Sequence, residues 1–178
     1  MKIFLTGEIQ IGKKTIIQKA IELLMVDYGG FKTYFGPDRD LANRLLYMNS
    51  ITEANIYSAE YGIVRFSDDS KPQVIDNRFD TFGAELIKNA IENKELIIMD
   101  ECGRLERDSL EFQKGVLKAL ESDIPILGVI KLDSSGWVDQ IRKHPSVKLI
   151  TVTSENRNDL PKVLQDELSK ELQKRKGV

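Results

Sequence analysis

Nine residues near the start of the chain, "GEIQIGKKT" (Gly7 to Thr15), nearly reproduce the spacing G-x-x-x-x-G-K-[ST]. Gly7 and Gly12 permit tight backbone turns, so the N–H groups along Glu8, Ile9, Gln10 and Ile11 can point inward at phosphate oxygens. A helix opening at Gly12 adds the positive end of its dipole, and Lys13 adds a cation for β- and γ-phosphates. Two positions depart from the pattern. Gln10 stands where such loops usually carry another glycine, so a strained backbone or a reshaped loop is expected there. Lys14 stands where a hydroxyl usually ligates Mg²⁺, and an ammonium group has no lone pair to offer. Thr15 does not substitute, because one step along a helix turns a side chain by about 100°. Its hydroxyl is better placed for the α-phosphate. Lys14 either pairs with a phosphate, replacing part of the metal's charge, or points to solvent. The favoured expectation is retained nucleotide binding with weakened Mg²⁺ dependence. A plain strand-to-helix turn with an exposed lysine is the alternative, and the position of the segment in the first βα unit weighs against it.

A second stretch, "ELIIMDECG" (95–103), ends an apolar run in two carboxylates. Asp100, at the carboxyl end of a buried strand, is expected beside the phosphate loop, holding Mg²⁺ through water. Glu101 is expected to orient and polarise an attacking water, a general-base role that calls for an unpaired carboxylate. The competing structural reading is an Asp-Glu pair that ends a strand and caps a turn. Cys102 reads as a small packed residue, since no supporting histidine lies nearby in sequence.

These groups need a scaffold, and the apolar pattern supplies one. Four near-continuous runs, at 2–6, 95–100, 124–130 and 147–153, read as parallel strands covered on both faces. Helical spacing links them, through Ile17, Ile21 and Leu24; through Phe82, Leu86, Ile87, Ala90 and Ile91; through Phe112, Val116 and Leu120; and through Leu160, Leu164, Leu168 and Leu172. The class is α/β, with a parallel sheet and helices on both faces. The rhythm breaks over about 29–78, where "GFKTYF" and "YGIVRF" read as short strands between turn residues. This is expected to be a β-rich insertion within one nucleotide-binding domain spanning 1–178.

Composition narrows the partners. The chain has 178 residues, 41% of them hydrophobic and 30% charged, which suits one well-buried domain. A net charge of −2 gives no basic footprint, so no nucleic acid is expected. No stretch approaches the roughly 20 apolar residues of a bilayer span, so no membrane is expected. One cysteine rules out an internal disulfide, and the start of the chain does not read as a signal peptide; the expectation is cytoplasmic. Oligomeric state is not legible.

With both motifs in place, the chain resembles the small P-loop nucleoside-triphosphatases of the cancer-related type. The resemblance rests on "FLTGEIQIGKKT", "GFKT", "IIMDECGRLE" and "TSENRNDLP". The family pattern D-E-[ILV]-G-[KR]-[ML]-E is matched from Asp100 to Glu106 with only Cys102 unusual, and E-N-R-D is matched with Asn158 inserted before Asp159. The resemblance implies a RecA-like P-loop domain with an antiparallel insertion, and slow, nucleotide-promiscuous, Mg²⁺-dependent hydrolysis of ATP or GTP. Lys14 departs from the family's G-K-[ST]-T.

Other residues fall into place around this reading. Arg157, between a strand's carboxyl end and the last helix, either contacts base or phosphate or sits in a helix start capped by Glu155 or Asn156. Arg104 and Glu106 either support the acidic-strand loop or form a solvated ion pair. Trp137 reads as helix packing and His144 as a surface residue. Tyr34, Phe35, Tyr57 and Tyr61 read as insertion core before base-stacking groups. Two rival functions remain. One is a nucleoside or nucleotide kinase, with Arg39, Arg44 and Arg65 as lid candidates; the other is a nucleotide-binding regulatory module with little turnover.

Overall fold

Strands without a polar face must be covered on both sides, and that requirement organises the molecule. The computed structural model describes residues 1–133 and 135–177. Its elements are β1 (Lys2–Thr6), α1 (Lys13–Leu24), β2 (Tyr28–Phe35), β3 (Arg44–Ser50), β4 (Gly62–Ser67), β5 (Ser70–Val74), α2 (Ala84–Asn93), β6 (Leu96–Cys102), α3 (Leu110–Glu121), β7 (Ile126–Ile130), α4 (Val138–Arg142), β8 (Val147–Thr151) and α5 (Leu160–Lys176). A 3₁₀ turn at Ala59–Tyr61 precedes β4, and a π-helical turn at Phe79–Gly83 runs into α2. All strands join one sheet in the order β5-β4-β3-β2-β6-β7-β1-β8. From β2 to β8 the neighbours pair in parallel; from β2 to β5 they pair antiparallel.

Side chains alternate across the strands and so split the core in two. Ile3, Leu5, Ile98 and Leu127 face α1 and α5, with Ile16, Ile17, Leu164 and Leu168 against them. Phe4, Ile97, Met99 and Ile126 face α2 and α3, with Phe31, Ile87, Phe112 and Val116. This is the α/β arrangement the sequence predicts, with helices on both faces. The antiparallel segment extends the same sheet: β2 is shared, parallel to β6 on one edge and antiparallel to β3 on the other.

Some elements differ from the expectation. β8 is an edge strand with Lys148, Leu149 and Thr151 exposed, so its apolar run is not covered on both faces. The strand β3 is mostly buried yet reads as mixed because Arg44, Asn49 and Ser50 stand at its ends. The strand β5 is exposed along its whole length, which left no hydrophobic signal. Phe82 lies in the π-helical turn rather than in α2.

The close pairing of β2 and β6 depends on Gly30. Its φ is 114°, and a Cβ there would stand 2.0 Å from the Ile98 carbonyl oxygen. A Gly30→Ala variant should therefore lose about 3 kcal/mol or more of stability in urea denaturation, from backbone strain plus a clash with main chain. A loss under about 1 kcal/mol would show that β2 can shift to admit a methyl group.

Candidate active site

Residues from β1, β2, β6, β7 and β8 and the start of α1 converge toward the carboxyl edge of the parallel sheet, the edge where open α/β sheets gather ligands. From β1 the chain enters the glycine loop and then α1, whose left-handed cap is Gly12 (φ 106°). Gly7 packs so tightly on the start of the loop after β8 that a Cβ would meet the Val152 carbonyl at 2.7 Å. Gln10 adopts φ 64°, the left-handed conformation that glycine takes without strain. The strain expected at this position is present. Glu8, Ile9 and Gln10 are exposed at the loop tip, with Ile9 87% exposed, and Thr15 is exposed on α1. Lys13 folds back over the loop, donating to the carbonyls of Gly7 (2.8 Å) and Glu8 (2.7 Å). Burial holds its ammonium below the usual lysine range, opposed by the nearby carboxylates of Glu101 and Asp100.

β7 lies between β1 and β6, which puts Asp100 about 10 Å from the end of β1 in the plane of the sheet. The gap is bridged by α1. Lys14 Nζ lies 3.5 Å from Asp100 Oδ2 and donates to the Thr33 carbonyl, while Thr33 Oγ1 donates to the Asp100 carbonyl at 3.3 Å. Asp100 is 5% exposed, and its Oδ1 is buried without a hydrogen-bond partner. Burial pushes its carboxyl up to about 6, ahead of the opposing pull of Lys14. Lys14 thus does more than point to solvent, although its side chain is 55% exposed. It pairs with the carboxylate expected to hold Mg²⁺.

As a direct ligand set for Mg²⁺ these residues do not fit. The ion wants oxygen donors in an octahedron. Here one carboxylate is engaged by an ammonium, and the position after Lys13 carries nitrogen. No group of three or more His, Cys, Asp or Glu side chains able to hold a metal occurs among the described residues.

Glu101 is next in the chain, where the β6–β7 register slips between Met99 and Cys102. Such a bulge re-aims side chains at sheet ends. Glu101 is not the unpaired carboxylate expected of a general base: Lys131, just past β7, reaches Oε1 at 3.3 Å. The segment that follows is held from below. Glu106 Oε2 accepts the Gly103 N–H at 2.9 Å, Gln113 Nε2 donates to the carbonyls of Glu106 and Arg107, and Trp137 Nε1 donates to the Gly103 carbonyl at 2.7 Å. Glu106 is therefore a buried support of the loop and not a solvated partner of Arg104. Cys102 is fully buried, its thiol pushed well up by that burial, as a packed residue should be.

Arg157 sits in the turn between β8 and α5 with its side chain exposed. Asn156 pins this turn, its Oδ1 accepting the Thr153 N–H at 2.9 Å and its Nδ2 donating to Thr151 O. The cap of α5 is Asp159, so neither Glu155 nor Asn156 is a helix cap. In the insertion Tyr34 is buried and stacks on Tyr47 as expected of core, whereas Tyr57, which meets Tyr34 edge-on, and Phe35 are exposed. His144 is half-buried at the surface and pairs with Ser146. A cavity of about 420 Å³ runs between α1 and β2, lined in part by Lys14, Lys32, Thr33, Tyr34, Asn55 and Asp100. Arg39, Arg44 and Arg65 do not line it; Arg44 lies over Phe35 and Phe66 instead. Sequence reasoning missed Lys131, Lys32 and the role of Thr33, whose only signal was the quoted "GFKT".

A family profile described as NTPase matches residues 2–164. The chain belongs to the NTPase family. A nucleoside-triphosphatase THEP1 of Thermofilum pendens is 32% identical over 170 residues, 93% of each chain. The THEP1 of Methanocaldococcus jannaschii is 32% identical over 169 residues, 90% of this chain and 92% of its own. Among solved structures, a human cancer-related nucleoside triphosphatase superposes with a TM-score of 0.65 at 26% identity, covering 93% of this chain and 96% of that one. The crystal structure of THEP1 from Aquifex aeolicus gives 0.69 at 23% identity, over 94% and 99%, a likeness of fold. The resemblance read from the four sequence motifs holds, and with it the P-loop α/β fold.

In this member of the NTPase family the loop support carries a pH signature. Burial pushes Glu106 up to about 7 from 4.5, against the pull of the Gly103 N–H. The folded chain then holds the proton more tightly than the unfolded chain. That contribution is fully present below about 4.5 and is lost as the pH rises through about 7. Glu106→Gln keeps the acceptor without the charge. The stability difference between wild type and variant should swing toward the variant by up to about 3 kcal/mol from acid to pH 8, in urea titrations. A difference independent of pH would show that Glu106 holds its proton no more tightly in the folded chain than in the unfolded one.

Proposed function

We propose that this protein is a nucleoside-triphosphate phosphohydrolase that attacks the γ-phosphate of ATP, GTP and related nucleotides with water. The observation that carries the reading is that α1, which begins at Lys13 after the glycine loop, lies against the end of β6 that carries Asp100 and Glu101, with Lys14 Nζ 3.5 Å from Asp100 Oδ2. Nucleoside-triphosphatase relatives of similar length support it. In this reading the triphosphate takes the place of the Gly7 and Glu8 carbonyls as the partner of Lys13. The amides of residues 8–12 and the start of α1 complete the cradle. Arg157, exposed in the turn between β8 and α5, contacts base or phosphate. Glu101, with Oε1 paired to Lys131, orients the water through its other carboxylate oxygen and accepts the proton there. The water oxygen bonds to the γ-phosphorus as the bond to the β–γ bridging oxygen breaks, and inorganic phosphate and the diphosphate leave. A divalent ion enters only as one the triphosphate carries from solution, and no step is assigned to it.

A second reading, phosphoryl transfer to an acceptor, is favoured by the cavity of about 420 Å³ beside Asp100. Phosphate and diphosphate assays on ATP, GTP, CTP and UTP separate the two: free phosphate with no acceptor present supports the first, and nucleoside diphosphate formed only on adding an acceptor, with the phosphoryl group on that acceptor and no free phosphate, supports the second.

Lys13→Ala should weaken triphosphate binding by about 10- to 100-fold in calorimetry, the range of one lost charge-assisted contact. Unchanged affinity would falsify the loop assignment. Glu101→Gln should keep binding while slowing phosphate release by about 100-fold or more. If wild type and the Glu101 variant turn over equally, Glu101 leaves the mechanism.

A further inference from the structure

The residue after the loop lysine stands on the carboxylate that a metal would use. Lys14 Nζ lies 3.5 Å from Asp100 Oδ2 and donates to the Thr33 carbonyl. We propose that the Lys14 ammonium is a tethered cation that takes the place of a protein-held divalent metal at Asp100, so that triphosphate binding by this chain does not require Mg²⁺. The proposal deepens the triphosphate reading above and rests on it.

Burial, donor count and position each contribute. Asp100 is 5% exposed, and a carboxylate removed that far from water needs a cation. Lys14 supplies one from the first turn of α1, the helix that also presents Lys13. Two fixed positive charges therefore flank the loop, where the usual pattern has one and a metal. An ammonium carries three N–H donors. The Thr33 carbonyl and Asp100 take two of them, and the third remains for a phosphate oxygen. The group is also within reach of a ligand, because with Thr33 and Asp100 it lines the cavity of about 420 Å³, and its side chain is 55% exposed. A divalent ion at Asp100 would stand beside this fixed charge, and their repulsion opposes its binding there.

The plainer account is that Lys14 only satisfies Asp100, since a half-exposed ion pair contributes little by itself. The two accounts differ in what Mg²⁺ does. A merely structural pair leaves the metal dependence of binding unchanged when Lys14 is replaced. A tethered cation shifts it, and a side chain that restores a ligand oxygen shifts it in a particular way.

The test is calorimetric titration of ATP into the full chain, in excess EDTA and in excess Mg²⁺, for wild type, Lys14→Thr and Lys14→Met. Wild type should bind in both media with affinities within about tenfold. Lys14→Thr should lose about 10- to 100-fold in EDTA, one charge-assisted contact, and recover in Mg²⁺ through its hydroxyl. Lys14→Met, unbranched and one atom shorter but without charge or oxygen, should lose as much in EDTA and recover less. Recovery of the threonine variant in Mg²⁺ also shows that it is folded. Equal dependence on Mg²⁺ in all three proteins overturns the tethered cation while leaving the triphosphate site standing. A threonine variant that binds in neither medium, beside a methionine variant that binds, overturns the exchange of ammonium for metal. No ATP binding by wild type in either medium overturns the triphosphate reading and the proposal with it.

Discussion

A carboxylate at the end of a buried strand, with almost no water to solvate it, is the constraint around which this protein is arranged. Asp100 closes β6 in the middle of the sheet and is 5% exposed. Left alone, such a group favours its neutral form, and burial does push it toward about 6. It is kept in place by its neighbours: Lys14 on one oxygen, with Thr33 bonded to both of them. Because Lys14 belongs to α1 and Thr33 to β2, this one charge ties the phosphate-loop helix to the strand where the antiparallel half begins. Loop, acidic strand and insertion are thereby coupled through a single buried carboxylate.

The segment beyond it is built for rigidity. After Cys102 the chain turns sharply, and a turn beneath an active site must not drift if its carboxylates are to hold position. Trp137 takes the Gly103 carbonyl, Glu106 takes the Gly103 N–H, and Gln113 ties the start of α3 to the same turn. None of these contacts reaches a phosphate. They fix the direction in which Asp100 and Glu101 leave the sheet. The second carboxylate is then steadied by Lys131, which arrives from the adjacent strand β7.

The insertion illustrates why some of the fold was hard to read. Its strands lie on the open side of the sheet, so their hydrophobicity is partial. β5 buries nothing, and β3 buries its middle while polar residues mark its ends. Its order comes from ring packing among Tyr34, Tyr47 and Tyr57 and from Arg44 lying over Phe35 and Phe66, contacts between residues distant in sequence. Propensity records none of this. The helices over the parallel strands were legible because burial on one face forces a repeat near 3.6 residues.

By itself, the sequence determined the parallel α/β core, the strand-loop-helix position of Lys13, and the strand-end position of Asp100 and Glu101. Those features are local: apolar runs, helical spacing and glycines act over a few residues, and each leaves a pattern within its own segment. It also determined that the position after Lys13 offers no oxygen. Only the tertiary structure decided where that ammonium goes. The strand order puts β7 between β1 and β6, so whether Lys14 reaches Asp100 depends on how α1 lies across the sheet. The same holds for Lys131 on Glu101 and for the burial of Glu106, which the sequence left open as a solvated ion pair. Electrostatic partners are set by distance in space, and residues 86 positions apart, as Lys14 and Asp100 are, carry no mark in the chain of their meeting.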